Sequence, residues 1–157
     1  MLKKNVSPQK ALERLEALCA RSERCTYELR LKLAAWRVPP ADVEVILSRL
    51  RNARYLDDDR FTRAYINDKI RFAPGWGPRK ITAALVAKHI PRSIVAEHLD
   101  AVPPHIWEEN LQHILNVKAR EIPDAKTYQG RTRLFRYAVS RGFNPDMIAR
   151  IIRTDWA

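Results

Sequence analysis

Apolar residues recur at spacings of three and four along nearly the whole chain, which is typical of amphipathic α-helices. One such stripe consists of Ala11, Leu12, Leu15, Leu18 and Cys19. No segment shows the sustained alternation of apolar and polar residues that marks a strand buried on one face. The hydrophobic pattern therefore predicts an all-α protein.

One pattern of five apolar positions occurs three times, with steps of 4, 5, 5 and 4 residues and offsets of 52 and 53 residues between copies. The copies are Leu29, Leu33, Val38, Val43 and Leu47; Ile81, Leu85, Ile90, Val95 and Leu99; and Leu134, Ala138, Phe143, Ile148 and Ile152. A Pro or Asn-Pro break follows the third position of each copy. This regularity indicates an internal repeat. The alternative is an irregular globule of nine helices whose spacings match by chance.

Each copy predicts a helix, a short turn, a helix, a proline-marked turn and a third helix. We therefore predict three tandem three-helix modules, over residues 1–55, 56–103 and 104–157. Modules of about 50 residues bury little surface alone, so they are expected to stack into an elongated, curved, repeat-like body. The predicted helices span 8–20, 26–37, 40–53, 58–72, 78–89, 92–101, 104–121, 126–141 and 145–154.

Charge indicates the kind of partner. The 157 residues include 29 Lys and Arg against 18 Asp and Glu, a formal net charge of +11, while 46% of residues are hydrophobic and can form a core. Such an excess points to a polyanion, such as nucleic acid, an acidic protein surface or an anionic membrane. All three modules carry an excess of positive charge, which suits a long polymeric ligand better than a compact pocket.

Other features limit where the chain acts. The longest uncharged stretches fall far short of the about 20 apolar residues that a membrane-spanning helix needs. Residues 1–5 are basic but are followed by no apolar segment, so no signal peptide is expected, and the cytoplasm is the predicted location. Cys19 and Cys25 are the only cysteines, and we expect both to be reduced and structural.

The longest basic run without an acidic residue extends from residue 126 to residue 141. It contains Lys126, Arg131, Arg133, Arg136 and Arg141, interleaved with Tyr128, Phe135 and Tyr137. On a helix, Arg133, Arg136 and Tyr137 share one face, where the arginines would contact phosphates and the tyrosine would stack on an unpaired base. The alternative is that the arginines only solvate the outer face of a core helix.

A second basic run surrounds the turn Gly75-Trp76-Gly77-Pro78. Its members are Lys69, Arg71, Arg79 and Lys80, which bracket Phe72 and Trp76. Two glycines would let a ligand approach the backbone, and the following helix N-terminus would attract an anion. Alternatively, Trp76 packs between modules and the glycines only shape the turn. Lys88 is a weaker candidate, for which an ordinary solvated face is the favoured interpretation.

Acidic residues and histidines do not suggest catalysis. Asp57, Asp58 and Asp59 are consecutive, and side chains that start a helix together do not converge on one metal ion, so helix capping and a link between modules are the expected roles. The four histidines show no ligand-like pairing, and no phosphate-binding loop motif is present. We predict no enzymatic activity and no cofactor or metal.

The segment Tyr55–Phe61, followed by Gly75–Ile81, carries a specific resemblance. Together with Glu28-Leu29, Lys32-Leu33 and Arg141–Phe143, this order and spacing resembles the RecX family, regulators of the bacterial RecA recombinase. The resemblance implies tandem three-helix modules and an elongated basic protein without catalytic activity. It implies binding to the RecA–single-stranded DNA filament, with inhibition of recombination and of ATP hydrolysis.

Two positions depart from the family's pattern. Cys25 stands where a small polar helix cap is common, so Thr26 is expected to cap instead. His89 stands where glycine is common, and it must either adopt or avoid a left-handed conformation.

The sequence thus predicts a negative regulator of RecA whose partners are the RecA filament and single-stranded DNA, with weak binding to double-stranded DNA, no membrane association and a monomeric state. The predicted DNA- and filament-binding residues are Lys69, Arg71, Trp76, Arg79, Lys80, Lys88, Lys126, Arg131, Arg133, Arg136, Tyr137 and Arg141. Two alternatives stay open: a generic single-stranded nucleic-acid-binding protein without a dedicated protein partner, and an adaptor whose basic face meets an acidic protein.

Overall fold

The computed structural model describes residues 5–157, which form nine α-helices and no β-strand. The all-α prediction is confirmed, and each predicted helix exists. The signal-peptide argument rests largely on residues 1–4, which lie outside the described residues. No helix within the described range has the length and apolar character needed to cross a membrane. The helices are α1 (Pro8–Arg21), α2 (Thr26–Ala35), α3 (Pro40–Asn52), α4 (Asp58–Phe72), α5 (Pro78–Ala87), α6 (Arg92–Asp100), α7 (Pro104–Ala119), α8 (Tyr128–Ser140) and α9 (Pro145–Asp155).

Helices α2, α5 and α8 end in the same way. The second residue beyond each helix adopts a left-handed conformation: Arg37 with φ 57°, His89 with φ 60° and Gly142 with φ 89°. Glycine is the usual residue there because a Cβ atom crowds the backbone, yet only the third copy has it. The predicted ends at residues 37, 89 and 141 are therefore one or two residues too long, and His89 adopts the strained conformation rather than avoiding it.

The residue in the left-handed conformation explains why five residues separate the second and third apolar positions of the repeat. After it, the N–H of Val38 donates to the Leu33 carbonyl at 3.1 Å, and the N–H of Phe143 donates to the Ala138 carbonyl at 3.3 Å. These bonds close a Schellman motif and turn the next apolar side chain into the core. Val38 and Phe143 are accordingly buried.

Side-chain caps from the preceding residue begin α1, α4, α8 and α9. Ser7 Oγ accepts the N–H of Lys10 at 3.2 Å, and Asn144 Oδ1 accepts the N–H of Asp146 at 2.8 Å, each just before a proline in the first turn. In both helices the proline stands at the first helical position, where its missing N–H costs nothing. Thr127 caps α8 similarly, so this helix begins at residue 128 rather than at the predicted residue 126.

The described chain forms two compact units. One contains the described residues up to Ala64 together with Lys88–Ile90, and the other contains Tyr65–Ala87 and Pro91–Ala157. Helix α4 therefore contributes residues to both units.

All fifteen repeat positions are buried except Val43 and Leu99, which are partly buried. The module boundaries after residues 55 and 103 stay a prediction.

The segment Tyr55–Phe61 connects α3 to α4 in the first unit. Asp57 Oδ1 accepts the N–H of Arg60 at 3.0 Å and so caps α4. The Arg60 guanidinium donates to Glu23 Oε1 at 2.6 Å and to two carbonyls of the preceding turn. Phe61 is buried. The most distinctive part of the sequence is thus a structural junction.

The carboxylate of Asp58, next to Asp57 in the sequence, joins α4 to α2. Asp58 Oδ1 accepts the N–H of Thr26 at 2.7 Å and its hydroxyl at 3.1 Å. Cys25 is the N-cap residue of α2 but makes no side-chain cap bond. The prediction that Thr26 is the cap is wrong, because Thr26 is the first helical residue and Asp58 supplies the acceptor from 32 residues away. The predicted capping role is confirmed for Asp57 and Asp58, whereas the predicted link between modules stays a prediction because Asp57, Asp58 and Thr26 all lie in the first unit.

Both cysteines are free thiols in the first unit. Burial is the main cause that raises the pKa of Cys25 to about 11, so its thiol is protonated at neutral pH. Burial also raises the pKa of Cys19. A protonated thiol is a poor nucleophile, which agrees with the predicted reduced, structural role.

Replacing Asp58 with alanine is expected to lower the free energy of unfolding by about 1–2 kcal/mol, because the partly buried N–H of Thr26 loses its acceptor. The matched control is Asp146→Ala, which removes an exposed first-turn acid of α9 and should cost about 0.5 kcal/mol. Urea unfolding at neutral pH measures both values. Equal losses would contradict the role assigned to Asp58.

Candidate nucleic-acid interface

The two basic runs meet in the second compact unit, where the start of α5 contacts the end of α8. The N–H of Gly77 donates to the Arg141 carbonyl at 2.7 Å, and the N–H of Arg79 donates to the Gly142 carbonyl at 3.0 Å. The Arg141 side chain returns to the same turn, since its Nε donates to the Gly75 carbonyl at 2.9 Å. Side chains from both runs therefore lie beside each other.

Two glycines allow this close approach. A Cβ atom on Gly77 would lie 2.4 Å from the carbonyl carbon of Gly142 and 2.6 Å from the nitrogen of Phe143. A Cβ atom on Gly142 would lie 2.4 Å from the nitrogen of Lys80, and the φ of 89° at this residue independently favours glycine. Neither position accepts a larger residue unless the backbone moves.

The predicted backbone contribution to an anion site at the start of α5 is not available at Gly77 and Arg79, whereas phosphate binding by the side chains of Arg79 and Lys80 stays a prediction. The N–H groups of Gly77 and Arg79 donate to α8 carbonyls, and the N–H of Trp76 donates to the Ala73 carbonyl at 2.9 Å. The lack of acids in this first turn has a structural reason instead. The carbonyl end of α8 carries partial negative charge there, which disfavours carboxylates and favours Arg79 and Lys80.

Two lysines over the Trp76 ring, together with Arg141 bound to the adjacent Gly75, form what we call the Trp76 cluster: Lys69, Trp76, Lys80 and Arg141. The ammonium groups of Lys69 and Lys80 lie 4.1 and 4.6 Å from the centroid of the partly buried Trp76 ring. Partial burial, followed by the charges of Arg141 and Lys69, lowers the pKa of Lys80. No carboxylate contributes to the lowered pKa of Lys80.

Phe72 carries an exposed aromatic ring at the end of α4, three residues after Lys69. Phe72 is 75% exposed, and the Arg71 guanidinium lies 5.5 Å from its ring centroid. Phe72 is not among the predicted site residues. An apolar ring can belong either to the core or to the surface, and the sequence alone does not show whether the ring is buried. Its position beside basic residues at the end of a helix is the sequence signal that makes it a candidate.

Helix α8 carries a second basic surface, which we call the α8 basic face: Arg133, Arg136 and Tyr137. Both arginines are exposed, in agreement with the prediction. Tyr137 is partly buried, and the Lys118 ammonium lies 4.9 Å from its ring centroid. The tyrosine is therefore less open to a stacking base than the sequence suggests.

Other predicted site residues are engaged elsewhere. The Arg131 guanidinium donates to the Lys126 carbonyl and, at 3.4 Å, to the Trp156 carbonyl, so it fastens the turn before α8 and the end of α9. Lys88 belongs to the first unit, where it pairs with Glu28 at 3.6 Å. The exposed members of the predicted set are Arg71, Arg79, Lys126, Arg133 and Arg136.

The acidic residues do not form a metal centre in the described chain. Asp57 and Asp58 are used as helix-capping acceptors. Within residues 5–157, no group of three or more His, Cys, Asp or Glu side chains is placed to hold a metal ion.

Comparison with known proteins identifies the family. A family model described as "RecX, second three-helix domain" matches residues 57–99. A Regulatory protein RecX of Thermus thermophilus is 35% identical over 126 residues, which cover 80% of this chain and 78% of that protein. The chain belongs to the RecX family. The RecX of Haemophilus influenzae strain PittEE is 26% identical over 144 residues, covering 88% of this chain and 92% of its own.

Solved structures support the fold of this RecX-family chain. The crystal structure of RecX from Lactobacillus salivarius superposes with a TM-score of 0.82 at 18% identity, covering 94% of this chain and 95% of that one. A second crystal structure, of a regulatory protein RecX, gives a TM-score of 0.85 at 21% identity and covers 94% and 73%. At these identities the likeness concerns the helical architecture.

Replacing Gly77 with alanine is expected to lower the free energy of unfolding by about 3 kcal/mol, because the new Cβ atom meets the backbone of Gly142 and Phe143. Gly75→Ala is the matched control, since its Cβ atom meets only the flexible end of the Arg141 side chain at 3.1 Å. Gly75→Ala should therefore lower the free energy of unfolding by less than about 1 kcal/mol. Urea unfolding compares the two variants, and equal costs would rule out a tight α5–α8 contact.

Proposed function

We propose that this chain binds the RecA filament on single-stranded DNA and inhibits its recombination and ATP hydrolysis. Membership of the RecX family supports a role in RecA regulation. The observation that carries the nucleic-acid part is the Trp76 cluster, where Lys69, Lys80 and Arg141 lie together in the second unit.

Phosphate binding by the Trp76 cluster follows from its charge. Burial first, and then the charges of Arg141 and Lys69, lower the pKa of Lys80, so the three cations repel one another. A phosphate placed among them relieves this repulsion and releases the counterions condensed on DNA. Binding should therefore weaken steeply as salt is added. The α8 basic face extends the contact with Arg133 and Arg136, which are exposed.

Phe72 gives the surface a means of preferring single strands. Its ring is 75% exposed and lies beside Arg71 in the same basic segment. An unpaired base can stack on such a ring, whereas a base inside a duplex cannot. We therefore propose tight binding to single-stranded DNA and weak binding to double-stranded DNA by a monomer, without a cofactor and without catalysis.

Inhibition would follow from the position of the bound protein. Phosphate contacts from the Trp76 cluster and the α8 basic face are individually weak, but several contacts made by one folded chain add to useful avidity. A chain held on the filament in this way would obstruct strand access and filament growth. The proposed effect is steric and electrostatic.

A generic single-stranded nucleic-acid-binding protein is the second candidate. It is favoured by the fact that Phe72 and the Trp76 cluster recognise features that any single strand possesses. Such a protein would bind bare oligonucleotide as tightly as filaments. The adaptor hypothesis, with an acidic protein as the only partner, would leave the exposed Phe72 ring without a role.

The variant Arg133→Glu with Arg136→Glu is expected to weaken inhibition of RecA ATP hydrolysis by about tenfold, because two phosphate contacts become repulsive. The matched control is Lys10→Glu with Arg49→Glu, which changes the net charge equally at exposed positions of the first unit. Far-ultraviolet circular dichroism verifies that helicity is unchanged. Unchanged inhibition in the Arg133 and Arg136 variant would remove the α8 basic face from the proposal.

Replacing Phe72 with serine is expected to lower affinity for an oligothymidine strand by about tenfold, because one stacking contact is lost. Affinity for a duplex of the same length should not change. Leu31→Ser is the control, since Leu31 is a 54% exposed apolar residue of α2 in the first unit. Fluorescence anisotropy measures both affinities, and equal effects on strand and duplex would exclude base stacking.

A further inference from the structure

Helices α8 and α9 leave an apolar groove that the basic surfaces do not use. Its volume is about 250 Å³, and its lining includes Tyr128, Phe135, Ala149 and Ile152. A cavity of about 150 Å³ accommodates a benzene ring, so this groove has room for one large apolar side chain. We refer to it as the α8/α9 groove.

The rim of the groove is positively charged. Arg131 and Arg153 are part of the lining, and no Asp or Glu side chain is. Arg153 is exposed. An apolar floor between two guanidinium groups complements an apolar side chain that is flanked by carboxylates.

The exposed ring at the start of α8 supports a binding role. Tyr128 is 75% exposed, although it lines the groove together with partly or fully buried apolar residues. Large exposed aromatic rings beside an apolar depression are typical of protein-binding surfaces. The ring would become buried when a partner side chain enters.

The polar groups of the lining favour a peptide over a nucleobase. The Thr132 hydroxyl donates to the Tyr128 carbonyl at 2.9 Å, and Arg131 donates to backbone carbonyls. The Thr132 hydroxyl and Nη1 of Arg131 are therefore already paired within the protein, so neither is free to bond the polar edge of a base. A leucine or phenylalanine side chain has no such requirement.

The groove and the α8 basic face lie on different sides of one helix. Tyr128, Arg131 and Phe135 follow at steps of three and four residues and so line one side, whereas Arg133 and Arg136 project from another. One helix can therefore contact DNA and protein at the same time.

We propose that the α8/α9 groove is a docking site for a protein segment in which an apolar side chain is flanked by acidic residues. This inference rests on the proposed function for the identity of the partner, which is RecA itself. It divides the surface of the second unit, with the Trp76 cluster and the α8 basic face contacting DNA and the α8/α9 groove contacting protein.

Two equally exposed aromatic residues allow a sharp test. Tyr128→Ser alters the groove and Phe72→Ser alters the DNA surface, and both rings are 75% exposed, so neither change should unfold the chain. Each variant is titrated against DNA-free RecA and against an oligothymidine strand. Arg153→Glu is added as a charge reversal in the groove, with Lys10→Glu as its control.

Tyr128→Ser and Arg153→Glu are expected to weaken binding to DNA-free RecA about tenfold while leaving oligothymidine binding unchanged, and Phe72→Ser should do the reverse. If Tyr128→Ser weakens oligothymidine binding instead, the groove holds a base and the proposal is overturned. If all variants bind RecA equally while wild-type protein still inhibits filament ATP hydrolysis, only this inference fails. Absence of inhibition by wild-type protein would overturn the proposed function itself.

Discussion

The contact between the carbonyl end of α8 and the N–H groups at the start of α5 is the interaction on which the second unit's surface depends. The Gly77 and Arg79 N–H groups donate to the last carbonyls of α8, and only glycine at 77 and 142 lets the two backbones approach. Because the negative end of one helix meets the positive end of another, this junction tolerates cations and disfavours carboxylates. Arg141 is held there by its bond to Gly75.

Much of the fold could be predicted from the spacing of apolar residues. The steps of 4, 5, 5 and 4 correspond to a helix, a left-handed residue and a second helix, and the cap-then-proline pairs at Ser7 and Asn144 mark helix starts. Local chemistry determines these features, so a sequence displays them. The predicted positions of the helix ends are less accurate, because Arg37 and His89 adopt a left-handed conformation that non-glycine residues usually avoid.

The candidate site could be predicted only in part, since its geometry depends on residues that are distant in sequence. The basic runs identify the cationic residues. Their spacing does not show that Arg141 lies near Lys80, or that the guanidinium of Arg131 donates to backbone carbonyls. The role of Asp58 was equally hidden, because its partner Thr26 is 32 residues away. Exposure, which distinguishes Phe72 from a core aromatic, is a property of the folded chain.

The central claim is that this RecX-family chain acts on RecA assembled on single-stranded DNA. The most direct measurement titrates the protein against bare oligonucleotide, DNA-free RecA and RecA filaments, with ATP hydrolysis as the readout. The account predicts the tightest binding to filaments, together with ATP hydrolysis that falls as the protein is added. Equal affinity for bare oligonucleotide and filaments, with ATP hydrolysis unchanged, would contradict it.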